Sequence, residues 1–258
     1  MWTASDPTVE HLMSDSFQTA VVTGAGRGFG RAIAAALVEA GAGVVGIARD
    51  EGELLAVRDE LGGGFTPVAA DAADEALARN VLSAHRPGLL VLNAGAAPHM
   101  APVHEQTWET FSRNWHVDAR HAFAWTRAAL REPMPPGGVV VSISSGAALG
   151  GSPLSGGYAA AKAAVRHIRA YAAEESERAG LGVRFAALLP QLTPATALGS
   201  AAVAAYAARQ GLGADALAAS MRPVLTPGQV AEAVLRLAAD PGGGPEHVIG
   251  AAGLSPVG

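Results

Sequence analysis

Tyr158 and Lys162 stand four residues apart, a spacing that puts both on one face of a helix. A phenol in water titrates near 10 and keeps its proton at neutral pH. An ammonium ~4 Å away, at an effective dielectric near 20, favours the phenolate by about 4 kcal/mol. That is about 3 pH units, enough to poise the pair for general acid/base work. Ser145 lies 13 residues before Tyr158, just after an apolar run, where its hydroxyl can hold a substrate oxygen beside the phenol. Lys162 is the only lysine among the 18 basic residues. Arg and Lys interchange on a solvated face but not where a compact ammonium must sit in a site. Alone, Tyr-x-x-x-Lys recurs by chance, so its meaning depends on what surrounds it.

A second group can handle phosphate. The run Thr23-Gly24-Ala25-Gly26-Arg27-Gly28-Phe29-Gly30 follows a short apolar segment and opens a helical pattern. Glycines let the backbone turn tightly and approach a pyrophosphate, while the next helix points its N-terminal N–H groups at the charge. A tight turn without a ligand is the competing reading of that run. A second apolar segment ends Ile47-Ala48-Arg49-Asp50. NAD-preferring sites carry an acid at such a strand end to bind the ribose 2′-hydroxyl; Ala48 holds that place here. Arg27 and Arg49 could instead neutralise a 2′-phosphate, which favours NADP(H). Two solvated arginines are the alternative, and Asp50 keeps NAD(H) open if the register moves by two. Asn93, with Ala94 and Gly95, ends a fourth apolar run, where its side chain can brace a loop next to the cofactor. Asp71 can accept from an adenine amino group or simply cap a turn.

These residues need a frame. Apolar runs near residues 20, 45, 67, 90, 141, 186 and 248 alternate with helical patterns, including 31–39, 108–131, 158–179 and 230–239. Continuously apolar strands are buried on both faces, and strand–helix alternation gives a parallel sheet covered by helices. The expected fold is α/β, Rossmann-like and doubly wound, with a seven-stranded parallel sheet and helices on both faces. Residues 1–16 show no periodicity and read as a flexible tail; 17–258 read as a single dinucleotide-binding catalytic domain.

Composition narrows the function. The net charge of -5 gives no dominant basic surface, so nucleic-acid binding is not expected. The absence of cysteine excludes disulfides, thiolate metal sites and cysteine nucleophiles. No run reaches the ~18 apolar residues of a membrane helix, and the N-terminus has no secretory pattern. A cytoplasmic protein with no membrane partner is expected. His99, His104, His116 and His121 cluster in sequence, but His116 and His121 miss the i,i+4 spacing of a helical zinc pair, and no metal is expected. His99 and His104 are placed to face a substrate cleft. Trp108, Trp115 and Trp125 fit helix packing or subunit contact better than a substrate cage.

In order and separation, Thr23-Gly24-x-x-x-Gly28-x-Gly30, Asp71, Asn93-Ala94-Gly95, Ser145 and Tyr158-x-x-x-Lys162 resemble the short-chain dehydrogenase/reductase family, over about residues 17 to 250. The resemblance implies that Tyr158 exchanges a proton with the substrate oxygen and Ser145 orients it. Lys162 also binds the nicotinamide ribose, and Pro190 lies beside the nicotinamide, whose C4 exchanges hydride with the substrate carbon. It implies a fourth catalytic position on the long helix, occupied in the family by Asn and here by Asp118, with Asn114 one turn earlier as the alternative. It further implies a homodimer or homotetramer built on 108–131 and 158–179. Pro190-Gln191 replaces the family's Pro-Gly. Asp118 and Gln191 together keep a non-redox reaction open, such as dehydration, isomerisation or epimerisation. The segment 192–217, rich in Ala, Gly and Leu with Tyr206 as its aromatic, is expected to cover an apolar cleft for a small-molecule substrate.

Overall fold

The computed structural model describes residues 17–132, 134–240 and 242–257. The expected N-terminal tail, 1–16, lies outside the described residues. Eight strands form one sheet: β1 (Thr19–Thr23), β2 (Gly43–Ala48), β3 (Phe65–Ala69), β4 (Leu89–Leu92), β5 (Val139–Ile143), β6 (Arg184–Pro190), β7 (Glu246–Gly250) and β8 (Gly253–Pro256). Their order is β3-β2-β1-β4-β5-β6-β7-β8. The first seven are parallel, and β8 runs antiparallel to β7. The sheet therefore has one strand more than the seven expected. A two-residue turn from Gly250 to Gly253 folds β8 back on β7. Such a turn suffices for antiparallel pairing, whereas parallel strands need a crossover.

Side chains alternate across the strands. Val22, Val44, Val91 and Val141 face one layer, which contains α1 (Gly28–Glu39), α2 (Glu51–Leu61) and α10 (Pro227–Ala239). Val21, Val45, Leu90 and Val140 face the other, which contains α3 (Glu75–His85), α5 (Arg120–Arg131) and α7 (Gly156–Arg178). Both faces of each central strand are thus buried, which is why these strands are continuously apolar. Trp125, fully buried in the second layer, donates from Nε1 to the Ala72 carbonyl at 2.8 Å.

The expected single helix over 108–131 is in three pieces. α4 (Trp108–Asn114) is followed by a π turn (Trp115–Ala119) and then α5. One extra residue is thereby accommodated in the winding, a feature often found at functional sites. Two short helices complete the chain order, α6 (Ala147–Gly150) after β5 and α9 (Ala214–Ser220) after α8 (Ala197–Arg209). Strand order reverses between β1 and β4, and the crevice at the strands' C-terminal ends there is where ligands bind in open α/β sheets.

Candidate active site

The loop after β1 opens on that crevice. Thr23 is buried at the end of β1 and ties it to β4. Its hydroxyl donates to the Val91 carbonyl at 3.2 Å and accepts from the N–H groups of Asn93 at 2.9 Å and Ala94 at 3.1 Å. Asn93 returns the brace, donating from Nδ2 to the carbonyls of Thr23 at 3.0 Å and Gly24 at 3.2 Å. Asn93, the side chain expected to brace a loop here, does so, and Thr23 shares the work, which its place in the motif did not suggest. A Cβ on Gly30 would overlap the Gly24 carbonyl oxygen, so only glycine lets α1 approach the loop this closely. α1 starts at Gly28 with no side-chain cap and no acid in its first turn. Phe29 is half-buried and packs against the core below.

β2 ends at Ala48, and Asp50 caps α2 by accepting from the Glu53 N–H at 2.9 Å. Its carboxylate is thus occupied at the helix start, and the strand-end position belongs to Ala48. Arg49 is exposed. Arg27 is exposed too and pairs with Glu53 at 3.3 Å. Asp71 lies two residues beyond β3, exposed, and accepts from the Ala73 N–H at 2.9 Å; it caps its own turn.

Beyond β5, Ser144 and Ser145 have different tasks. The Ser144 hydroxyl donates to the Lys162 carbonyl at 2.8 Å and fastens α7 to the strand end. Ser145 is half-buried, and its hydroxyl accepts from the Ala147 N–H at 3.2 Å. Tyr158 lies in the first turn of α7, half-buried, and the Lys162 ammonium is 5.7 Å from its ring centre. A Cβ on Gly157 would overlap the Phe111 carbonyl oxygen, so α4 and α7 touch backbone to backbone beside Tyr158.

The Lys162 side chain is 7% exposed. Its ammonium donates to the Ile143 carbonyl at 3.1 Å and lies 3.3 Å from Asp118 Oδ2. One of its three donors is thereby hydrogen-bonded, and the contact with Asp118, whose Oδ2 has no hydrogen-bond partner among the described residues, is an ion pair. Burial works against the ammonium, but the charge of Asp118 and the contact with Tyr158 outweigh it, and the group is held above its ordinary value. Asp118 has no exposed side-chain surface. Its Oδ1 accepts from the Ala96 N–H at 2.8 Å and from Asn114 Nδ2 at 3.4 Å. Asn114 also donates from Nδ2 to the Ala96 carbonyl at 2.8 Å. The two alternatives for the fourth position therefore both hold the backbone of one residue, Ala96. Gly95 lies against the same carboxylate.

His121 was not expected here. It is buried one turn after Asp118, its ring edge-on to Trp125, and its Nε2 has no hydrogen-bond partner among the described residues. Burial first, then the nearby Lys162 charge, push its pKa down to about 3. The three-residue offset from Asp118 was the available signal. His99, His104 and His116 are exposed, and His104 Nε2 lies 3.6 Å from Glu105.

Pro190 ends β6, and the Gln191 N–H donates to the Ile249 carbonyl at 2.9 Å. The Gln191 side-chain amide fills the space next to Gly250. Tyr206 on α8 is hydrogen-bonded to the Ser152 hydroxyl, tying the covering segment to the loop before α7. Leu149, Leu192 and Leu198 are exposed around these loops.

The family described as short chain dehydrogenase matches residues 18–207. Cis-4-hydroxycyclohexanecarboxylate dehydrogenase of Sinomonas cyclohexanicum is 32% identical over 239 residues, covering 88% of this chain and 92% of its own. Carbonyl reductase (NADPH) 2 of Sus scrofa is 34% identical over 135 residues, covering 52% of this chain and 55% of its own. With that relative and several others the chain spans about half of the relative's length. An NAD+-bound xylitol dehydrogenase shares the fold at a TM-score of 0.77 and 23% identity, covering 86% of this chain and 92% of that one. A 3-ketoacyl-(acyl-carrier-protein) reductase from Brucella melitensis, complexed with NADH, aligns at a TM-score of 0.70 and 26% identity, covering 87% of this chain and 91% of that one. A doubly wound sheet, a braced glycine loop at its switch point, Tyr158 and Lys162 on one helix face, and a family match over residues 18–207 agree: the chain belongs to the short chain dehydrogenase family.

Proposed function

We propose that this chain is an oxidoreductase interconverting a carbonyl and an alcohol on a small, apolar organic substrate, with NADP(H) preferred over NAD(H). The observation that carries the reading is the Tyr158–Lys162 pair, half-buried phenol above buried ammonium, at the C-terminal edge of the sheet. The residues present fit a dinucleotide. The uncapped start of α1 and the clearance at Gly30 leave backbone N–H groups for a pyrophosphate. Asn93, Ala94, Gly95 and Pro190 border the path beyond it. Ala48 at the strand end, with Arg49 and Arg27 exposed nearby, supports a 2′-phosphate.

Once bound, the nicotinamide supplies or accepts the hydride. The Tyr158 hydroxyl gives its proton to the carbonyl oxygen in reduction and takes it back in oxidation. The Ser145 hydroxyl holds the same oxygen, and the Lys162 charge favours the phenolate that reduction leaves behind. Leu149, Leu192 and Leu198 support an apolar substrate. Exposed Trp108, Trp115 and Phe123 along α4 to α5, and Tyr171 on α7, support a homodimer or homotetramer joined through these helices. Among the described residues no helix is long and apolar enough to cross a membrane; we read residues 17–258 as one catalytic domain acting in the cytoplasm.

The test is loss of absorbance at 340 nm when NADPH and a panel of aldehydes and ketones are mixed with the protein. Carbonyl-dependent oxidation of NADPH is expected, and Tyr158→Phe should abolish it. A wild type inert toward the whole panel, or a fully active Tyr158→Phe, would overturn the reading.

A further inference from the structure

The loop after β1 and the first turn of α2 meet in an ion pair that the chemistry above does not use. Arg27 Nη1 lies 3.3 Å from Glu53 Oε1. The other carboxylate oxygen, Oε2, stands 2.7 Å from the place a Cβ on Gly26 would take, and the Ala48 Cβ stands 3.6 Å from the same place. Gly26 thus leaves the room in which the Glu53 side chain lies, against the glycine loop and beside the end of β2. The two partners are not equally free. The Glu53 side chain is 33% exposed and that of Arg27 77%. The Glu53 N–H is fixed to Asp50 Oδ1 at 2.9 Å at the start of α2. The acid is seated, and the arginine reaches it from solvent.

Ala48 leaves the end of β2 without an acid, yet Glu53 brings a carboxylate to the same place from the next helix. A 2′-hydroxyl and a 2′-phosphate meet that carboxylate differently. The hydroxyl can donate to it. The phosphate is an anion that the carboxylate repels, and each guanidinium donor spent on Glu53 is lost to the phosphate. The charges around the pair do not cancel this. Asp50 is a further acid at the helix start, and Glu51 is exposed beside it. Arg31 is taken up by Glu60. Arg49 is exposed and enters no ion pair among the described residues. Arg49 can therefore meet a phosphate directly, whereas Arg27 must leave Glu53 to do so.

We propose that Glu53 is a cofactor-specificity residue: its carboxylate, delivered to the end of β2 from α2, competes with a 2′-phosphate for Arg27 and so limits the preference for NADP(H). This rests on the dinucleotide reading given above and concerns only how strongly the phosphate is favoured. Arg27 is then a guarded contact that the phosphate must win, and Arg49 an open one.

Calorimetric titration with NADPH and with NADH, in the absence of any carbonyl, reads the effect. Glu53→Gln keeps the shape of the side chain and removes its charge. It is expected to lower the NADPH Kd about fivefold, the worth of an exposed charge contact, and not to lower the NADH Kd. Because the acid acts through Arg27, Arg27→Ala is expected to cost at least about threefold more NADPH affinity in the Glu53→Gln background than in the wild type. An NADPH Kd that rises or stays unchanged in Glu53→Gln overturns the proposal, since Glu53 would then hold Arg27 in place for the phosphate or stand apart from it. An equal gain for both cofactors overturns it, as does an equal cost of Arg27→Ala in the two backgrounds. A wild type that binds neither nucleotide overturns the dinucleotide reading and this proposal with it. The titration needs no substrate, so its result stands apart from whether carbonyls are reduced.

Discussion

Mild acid should weaken this fold through His121. The ring is buried beside Trp125, and burial with the Lys162 charge sets its pKa at about 3 in the folded chain. In the unfolded chain it titrates near 6.5. Between those values the unfolded state binds a proton that the folded state does not, so stability falls as pH falls through that window. From about pH 7.5 to about pH 5 the loss amounts to about 2 kcal/mol, growing to about 4 kcal/mol at about pH 3. His121→Phe keeps a ring on Trp125 and removes the titration. Urea unfolding followed by tryptophan fluorescence, at both pH values, measures the effect. With a slope of about 2 kcal/mol/M, the wild-type midpoint should drop by about 1 M more than that of the variant over this interval. Carboxylates such as Glu246, whose ion pairs with Arg166 and Arg169 also weaken in acid, act in both proteins and cancel in the comparison. Parallel pH dependences for the two proteins would refute the reasoning, since His121 would then carry its proton in the folded state as well.

Two further outcomes follow from the cofactor loop and the helix contact. Arg49→Ala should weaken NADPH binding by about 1.5–3 kcal/mol, about 10- to 150-fold in Kd, and leave NADH binding nearly unchanged in a fluorescence titration; equal losses would place Arg49 away from the 2′-phosphate. Gly157→Ala must push α7 away from the Phe111 carbonyl and so displace Tyr158. We expect turnover to fall far more than cofactor affinity, and an unchanged kcat would mean that the contact does not position the phenol.

Much of the site was legible because its chemistry demands local patterns. The glycine loop needs clearance at Gly30, and the Tyr158–Lys162 pair needs a four-residue helical step; both demands leave marks in the sequence. Ala48 could be placed because β2 is a continuous apolar run with a clear end. The choice between Asn114 and Asp118 was not legible, since residues four apart share a face and the π turn between them has no compositional mark. The structure shows that both point at Ala96. Asp71 was ambiguous for a similar reason: the same carboxylate can meet a ligand, cap a turn or do both, and its Oδ1 accepts from the Ala73 N–H. His121 escaped notice because its significance lies in a buried neighbourhood assembled from α5 and α7, not in a motif. β8 was missed because four residues after a two-residue turn carry too little pattern to distinguish a strand from a tail.

The central claim is hydride exchange between nicotinamide and a carbonyl carbon, with Tyr158 handling the proton. The most direct measurement supplies NADPH deuterated at both C4 positions with a carbonyl substrate and locates the label in the product by mass spectrometry and NMR. The account predicts one deuterium on the former carbonyl carbon for each NADPH oxidised in wild type, and none in Tyr158→Phe. Substrate converted without label and without NADPH consumption would contradict it and establish non-redox chemistry at this site.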